Sequence, residues 1–330
     1  MYRSRIAGIG ANVPENVVTN YDLEKMMDTS NEWIVERTGI RERRWVTQPT
    51  GAAELAFPAC LEAIEDAGVE KKDIDFIIVA TITPEHPMPG TSSFLQTLLE
   101  LPGVPTLDIR VQCSGFVYGL SIADQYIRTG RYKNILLVGV EVQSVGLNLT
   151  TEGRDVAVLF GDGAGAVVVS RSDDSSEILS THLGGDGRYA KELWCEAPIG
   201  YKSPRISKEM IDQGKHYPKM NGRQVFKHAV TIFPKVVYTA MRAQNWTIED
   251  VDLVVPHQAN IRIIEALAKK LGVGLDKVYS NIHKYGNTTA ASIPLALYDA
   301  LKEGKIKKGS NVILAAFGSG FTWASAAIRW

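Results

Sequence analysis

Three cysteines in 330 residues, Cys60, Cys113 and Cys195, are too few and too scattered for a disulfide framework or a zinc site. Histidine is scarce as well, and no two of the six stand at metal-ligand spacing, so no metal is expected. No apolar run is long enough to span a bilayer. Met1–Arg5 leads straight into an apparent strand without an apolar signal core, and the expectation is a soluble, cytoplasmic chain. Neither sign of charge is in excess. A net charge of −1 gives no electrostatic case for a nucleic-acid or membrane partner. Glycine is plentiful but no phosphate-cradling loop is present. Gly161-Asp162-Gly163-Ala164-Gly165 is not G-x-G-x-x-G and precedes a strand, Gly8-Ile9-Gly10 lacks the third glycine, and there is no G-x-x-x-x-G-K-[ST]. A nucleotide-binding fold is excluded on those grounds.

What is present is apolar bulk and repetition. Hydrophobic residues make up 45% of the chain, enough for a large core, and the length suggests two domains. Apolar runs at 75–81, 106–111 and 135–140 read as strands buried on both faces, with helices over 51–68 and 120–128. Further strands are expected over 4–11, 154–160 and 166–170. The second half repeats the plan. Phe57-Pro58 leads through a helix to Asp73-Ile74-Asp75-Phe76-Ile77, and Phe233-Pro234 leads through a helix to Asp250-Val251-Asp252-Leu253-Val254. Phe160-Gly161-Asp162-Gly163 has a counterpart in Phe317-Gly318-Ser319-Gly320. The repeat implies two duplicated α/β halves, 1–172 and 173–330, each a parallel sheet covered by helices. Cys113 lies just past a strand. Asn287 lies just before a helix, after Gly286, which permits a close backbone approach. The two take matching places in this plan and are expected to face each other across a pseudo-twofold axis.

Residue by residue, three side chains stand out. Cys113 sits between a strand and a helix, where the helix N-terminus lowers a thiol's pKa and favours nucleophilic attack; buried structural cysteine is the competing reading. His257 follows the buried run Val254-Val255-Pro256, at the carboxyl end of a strand, where open α/β folds place function; the alternative is a satisfied core histidine. Cys60 reads as core, and Cys195 has no evident role. Arg37, Arg41, Arg43 and Arg44 form a basic cluster beside Trp33. It is either a solvated, salt-bridged surface or a phosphate-binding rim with an aromatic ring to stack on.

These residues lie within motifs that resemble one family over nearly the whole chain. The motifs are Glu32-Trp33-Ile34 with Arg37-Thr38-Gly39-Ile40, Cys113-Ser114-Gly115-Phe116, Phe160-Gly161-Asp162-Gly163-Ala164-Gly165, Gly222 with Val225-Phe226-Lys227, Pro256-His257-Gln258-Ala259-Asn260, Gly286-Asn287-Thr288 and Gly320-Phe321-Thr322-Trp323. The chain is similar to β-ketoacyl-acyl-carrier-protein synthase III, a condensing enzyme of the thiolase superfamily. The resemblance implies a five-layered αβαβα fold from duplicated halves and a homodimer. It implies a decarboxylating condensation of an acyl-CoA primer with malonyl-ACP, initiating fatty acid synthesis, with no cofactor. A relative recruited to secondary metabolism, with a different acyl substrate, is the alternative.

By the same resemblance Cys113 is the acyl-accepting nucleophile, with His257 and Asn287 completing the triad. The backbone N–H groups of Cys113 and Ser319 are an oxyanion hole. Trp33, Arg37, Arg154, Gly222 and Asn260 match coenzyme A-binding positions, and Met88 matches an acyl-pocket position supplied to the partner subunit. Arg262, Lys269 and Lys270, on one helix face, match the basic patch that docks acyl carrier protein. Ser319 replaces the family's usual glycine, and a positive φ there would strain it. Residues 185–218 fit the family pattern poorly, and some of them fall where the resemblance places the acyl pocket and its entrance.

Overall fold

Phe76–Ala80 contains no polar and no exposed residue. Phe76 and Ile78 belong to one apolar cluster, Ile77 and Val79 to another. A strand apolar on both faces needs cover on both, and the computed structural model, which describes residues 1–330, supplies it in five layers. The first sheet has the strand order Ser4–Asn12, Gly163–Arg171, Asn134–Glu141, Phe76–Ala80, Thr106–Ile109. The second has the order Leu253–Pro256, Asn311–Gly318, Thr322–Arg329, Glu177–Gly185. Ser172–Ser176 connect the two.

The central layer holds the helices Gly115–Arg128 and Ser292–Lys302. Phe116, Leu120, Ile293 and Leu297 pack there between inward residues of both sheets, among them Ile78, Val167, Val255 and Leu314. Outside the first sheet, Ala52–Asp66 presents Ala56, Ala59 and Ala63 to Leu136, Val138 and Val168. Small side chains there let the helix lie close to the sheet. Outside the second, Gly222–Ala243 and Ile261–Leu271 cover Ile313, Ala315 and Phe317.

The sheets are mixed rather than all parallel as expected. Asn311–Gly318 and Thr322–Arg329 are joined by a tight turn, too short for the crossover that parallel pairing demands, and pair antiparallel. Arg154–Phe160, expected as a strand, begins with the single helical turn Arg154–Ala157, and Phe160 makes only an isolated bridge, to Asn287. The basic cluster also divides. Arg43 is wholly buried, donating to the carbonyls of Val18 and Val158 and to Asn20 Oδ1, while Arg44 pairs with Glu42 at 2.9 Å.

The duplication is visible in single hydrogen bonds. The Asp75 carboxylate accepts the Asn134 N–H at 3.0 Å, and the Asp252 carboxylate accepts the Asn311 N–H at 2.7 Å. Asn134 Nδ2 donates to the Asp73 carbonyl, and Asn311 Nδ2 to that of Asp250. The turn Gln112–Ser114 opens the helix Gly115–Arg128 as Thr289–Ala291 opens Ser292–Lys302, with Gln112 and Thr289 at φ 44° and 49°. In this register the counterpart of Cys113 is Ala290. Asn287 lies two residues before the repeated turn, so the expected equivalence of Cys113 and Asn287 does not hold. Both still reach the centre, because Asn134–Glu141 passes against the second turn: a Cβ on Gly139 would stand 2.3 Å from the Ala290 carbonyl oxygen.

Gly286 is held more tightly than any capping role requires. It has φ 66°, and a Cβ there would lie 2.7 Å from the Leu159 carbonyl oxygen. Gly286→Ala is therefore expected to lower unfolding free energy by about 1–3 kcal/mol, measured by urea denaturation. Unchanged stability would show that the contact relaxes freely.

Candidate active site

Cys113 reaches the site from the middle of the Gln112–Ser114 turn. Its thiol is buried, and burial pushes its pKa up to about 12; the Glu141 carboxyl adds to the rise, and the N–H groups of Cys113 and Ser319 oppose it. A helix N-terminus alone would lower the thiol's pKa, as expected from sequence. Desolvation outweighs it, and the resting sulfur keeps its proton. Glu141, itself buried, has its own pKa raised to about 8, again by burial first. Its carboxyl accepts from Thr83 Oγ1 at 2.8 Å and from the Ile82 N–H, and so ties together two strand ends of the first sheet.

His257 follows Leu253–Pro256 and donates its N–H to the Ala315 carbonyl at 2.8 Å. The ring is 1% exposed, and burial drives its pKa down to about 3, so it is neutral. Nδ1 lies 2.5 Å from Ser292 Oγ, which also reaches the Thr289 carbonyl at 3.0 Å. Nε2 has no protein partner.

Asn287 is clamped through its backbone: its N–H donates to the Leu159 carbonyl at 2.8 Å, and its carbonyl accepts from the Gly161 N–H at 3.1 Å. Its side-chain Oδ1 accepts the Thr289 N–H at 2.9 Å. Only the oxygen can accept there, so the amide orientation is determined and Nδ2 is the free donor.

Cys113, His257 and Asn287 line one cavity of about 510 Å³, with Gly318 and Ser319 at its inner end. A Cβ on Gly318 would stand 2.8 Å from that of Cys113, so glycine allows the approach. The left-handed step of this turn falls on Gly320, at φ 116°, and Ser319 is not among the positive-φ residues. The strain expected at Ser319 is absent. Its hydroxyl instead donates to the Leu193 carbonyl.

At the mouth, the guanidinium carbons of Arg37 and Arg154 lie 4.7 and 5.1 Å from the centre of the Trp33 ring. Trp33, Arg37, Gly222 and Asn260 line the cavity, while Arg154 is outside the lining and donates to the Asp28 carbonyl. Asn260 caps Ile261–Leu271 by accepting the Arg262 N–H at 2.9 Å and donates to the Arg37 carbonyl at 2.8 Å. Arg262 lines the rim, and Lys269 and Lys270 continue the exposed side of the same helix with Glu265 among them. Met88 is 81% exposed and outside the cavity, so within one chain it forms no acyl wall. Leu159, Leu193, Met220, Phe233 and Phe317 form the apolar walls.

Sequence reasoning missed Thr289, Ser292 and Leu193. The signal that could have found the first two is their hydroxyl groups two and five residues after Asn287. Nothing local marks Leu193, because the hairpin of Leu193–Cys195 with Pro218–Met220 brings it to the cavity.

The comparisons agree on one family. Residues 107–187 match the family described as 3-oxoacyl-[acyl-carrier-protein (ACP)] synthase III, and residues 241–330 match its C-terminal part. The chain is 45% identical to the beta-ketoacyl-[acyl-carrier-protein] synthase III of Caldanaerobacter subterraneus subsp. tengcongensis, over 98% of this chain and 97% of that one. The crystal structure of 3-oxoacyl-[acyl-carrier-protein] synthase III from Aquifex aeolicus superposes with TM-score 0.91 at 43% identity, covering 99% and 100% of the two chains. A priming ketosynthase of a polyketide pathway superposes as well, with TM-score 0.91 over 99% and 96%, but at 30% identity, so the secondary-metabolism alternative is not favoured. No helix is long and apolar enough to cross a membrane. The chain belongs to the β-ketoacyl-[acyl-carrier-protein] synthase III family of the thiolase superfamily, as a condensing acyltransferase for the initiating step of fatty acid synthesis.

Proposed function

We propose that Cys113 takes an acyl group from an acyl-CoA primer and that His257 and Asn287 activate malonyl-ACP for condensation with it, without a cofactor. The observation that carries this reading is the shared cavity, in which a thiol meets two donor side chains that have no competing partner on their free atoms. The Cys113 sulfur attacks the primer thioester, and its proton leaves with the departing thiol. The Cys113 and Ser319 N–H groups, both acting on the sulfur, receive the developing oxyanion. Malonyl thioester then loses carbon dioxide. The enolate oxygen accepts hydrogen bonds from Asn287 Nδ2 and His257 Nε2, and the enolate carbon attacks the acyl group. Cys113 leaves as thiolate and takes up one proton. Donation from Nε2 requires the ring hydrogen there, hence the Ser292 hydroxyl turned to Nδ1 rather than to Thr289. Neutrality of His257 suits this role, since a hydrogen bond rather than a proton is delivered.

Trp33 offers the coenzyme a stacking face, and Arg37 and Arg154 offer charge for its phosphates; Gly222 and Asn260 shape the entrance. Arg262, Lys269 and Lys270 meet the acidic carrier protein. A cytoplasmic homodimer completes the proposal. Thr106–Ile109 is an open sheet edge, and pairing such edges about a twofold axis continues the sheet across two copies. Met88 would then lie beside the partner's cavity.

Cys113→Ala is expected to abolish covalent labelling by radioactive acyl-CoA, whereas His257→Ala and Asn287→Ala retain labelling but lose malonyl decarboxylation by about 10²–10³-fold each. Label on the alanine variant, or normal carbon dioxide release from either of the others, would remove that residue from its role. Reversing Lys269 and Lys270 to Glu should raise KM for malonyl-ACP more than for acyl-CoA and flatten its rise with ionic strength. Equal effects on both substrates would deny the docking role. Sedimentation is expected to show a particle of two 36.2 kDa chains; a monomer would refute the edge pairing and leave Met88 without a site.

A further inference from the structure

Between the strand Glu177–Gly185 and the helix Gly222–Ala243 the chain makes a long excursion over the cavity. Residues 190–221 form a flap: the hairpin of Leu193–Cys195 with Pro218–Met220, the short helix Lys208–Asp212, and turns. Leu193 and Met220, one from each hairpin strand, line the cavity.

In its polar contacts the flap is almost self-contained, while Met220 packs against the apolar cluster of Ile34, Leu159 and Phe160. Its ion pairs are internal: Glu196 with Lys215 and Lys219, and Lys208 with Asp212. Cys195 Sγ bonds the carbonyls of Ala197 and His216, also within it. Glu192 and Asn221 close its base with a bond of 2.7 Å. Beyond bonds to neighbouring turns at its two ends, one hydrogen bond alone ties it to the body of the protein, from the Ser319 hydroxyl to the Leu193 carbonyl.

Both partners in that bond are placed with consequence. The main-chain N–H of Ser319 acts on the Cys113 sulfur, while its side chain holds the wall against which an acyl chain on that sulfur must lie. The hydroxyl itself is not needed for the N–H to act, and neither glycine nor alanine could make the bond. We propose that Ser319 is a specificity-determining latch: its hydroxyl fixes Leu193, and with it the flap, at a set distance from Cys113, and thereby limits the size of acyl primer accepted. This rests on Cys113 being the acylated residue.

The latch predicts a change in selectivity rather than a general loss. Misalignment of the oxyanion N–H would lower every primer's rate by a similar factor. Release of one apolar wall alters the room for methylene groups, each worth about tenfold or more in discrimination.

The test compares Ser319→Ala and Ser319→Thr with the wild-type enzyme in two measurements: kcat/KM over a series of straight-chain acyl-CoA primers from acetyl to octanoyl, and amide hydrogen exchange. In Ser319→Ala, the ratio of long-primer to short-primer kcat/KM should rise at least about tenfold, and amides of 190–221 should exchange faster while those of the helix Gly115–Arg128 do not. Ser319→Thr, which keeps the hydroxyl, should hold both near wild type. An unchanged primer ratio in Ser319→Ala overturns the specificity role even if exchange rises, and a changed ratio without faster flap exchange overturns the latch. If no primer acylates Cys113 in the wild-type enzyme, the functional reading fails, while the exchange measurement still decides whether the bond holds the flap.

Discussion

The clamp on Asn287 is the constraint on which the rest of the site depends. Two backbone bonds, to Leu159 and Gly161, hold a residue of the second half on the first. Gly286 must take a positive φ and accept the Leu159 carbonyl at close range for this to happen. Once Asn287 is fixed, its Oδ1 fixes the Thr289 N–H and with it the start of the helix on which the Ser292 hydroxyl meets Nδ1 of His257. Gln143, from the first half, bonds Thr289 Oγ1 at 2.9 Å and braces the same turn from the other side. Both candidate donor side chains thus take their orientation from one strained turn at the contact between halves.

Burial sets the protonation states here. The sulfur, the imidazole and the Glu141 carboxyl are each displaced toward their uncharged forms by loss of water. A cavity that holds neutral groups at rest concentrates its electrostatic response on charge that appears during the reaction, which a few oriented N–H donors then meet without reorganisation.

Much of this was legible in the sequence because the signals are local or repeated. Strands such as Phe76–Ala80 are apolar throughout, and the Asp73–Asp75 and Asp250–Asp252 pairs recur before equivalent strands. Cys113, His257 and Asn287 stood out from their places beside strand and helix ends. The register of the repeat was less legible. Cys113 and Asn287 look equivalent by neighbouring composition, yet the backbone equivalence runs through Gln112 and Thr289, whose left-handed φ no residue type announces. Arg43 shows the same limit: its fully buried guanidinium is held by Val18, Asn20 and Val158, partners scattered along the chain. The thiol's resting state was misjudged because a helix terminus can be read from sequence, whereas the depth of burial around it cannot.

The joined base of the flap also bears on how such an enzyme changes over generations. Because Glu192 and Asn221 are hydrogen-bonded to each other, everything between them begins and ends at one point on the protein surface. Additions and deletions in its turns leave the strand registers of both large sheets untouched, since loop closure adds only slowly to the cost of a longer segment. The wall that faces the acyl chain can therefore diverge on its own timetable, while the clamp and the glycine turns behind the sulfur tolerate almost no change. A single scaffold can in this way acquire new primer preferences by rewriting one detachable stretch of chain.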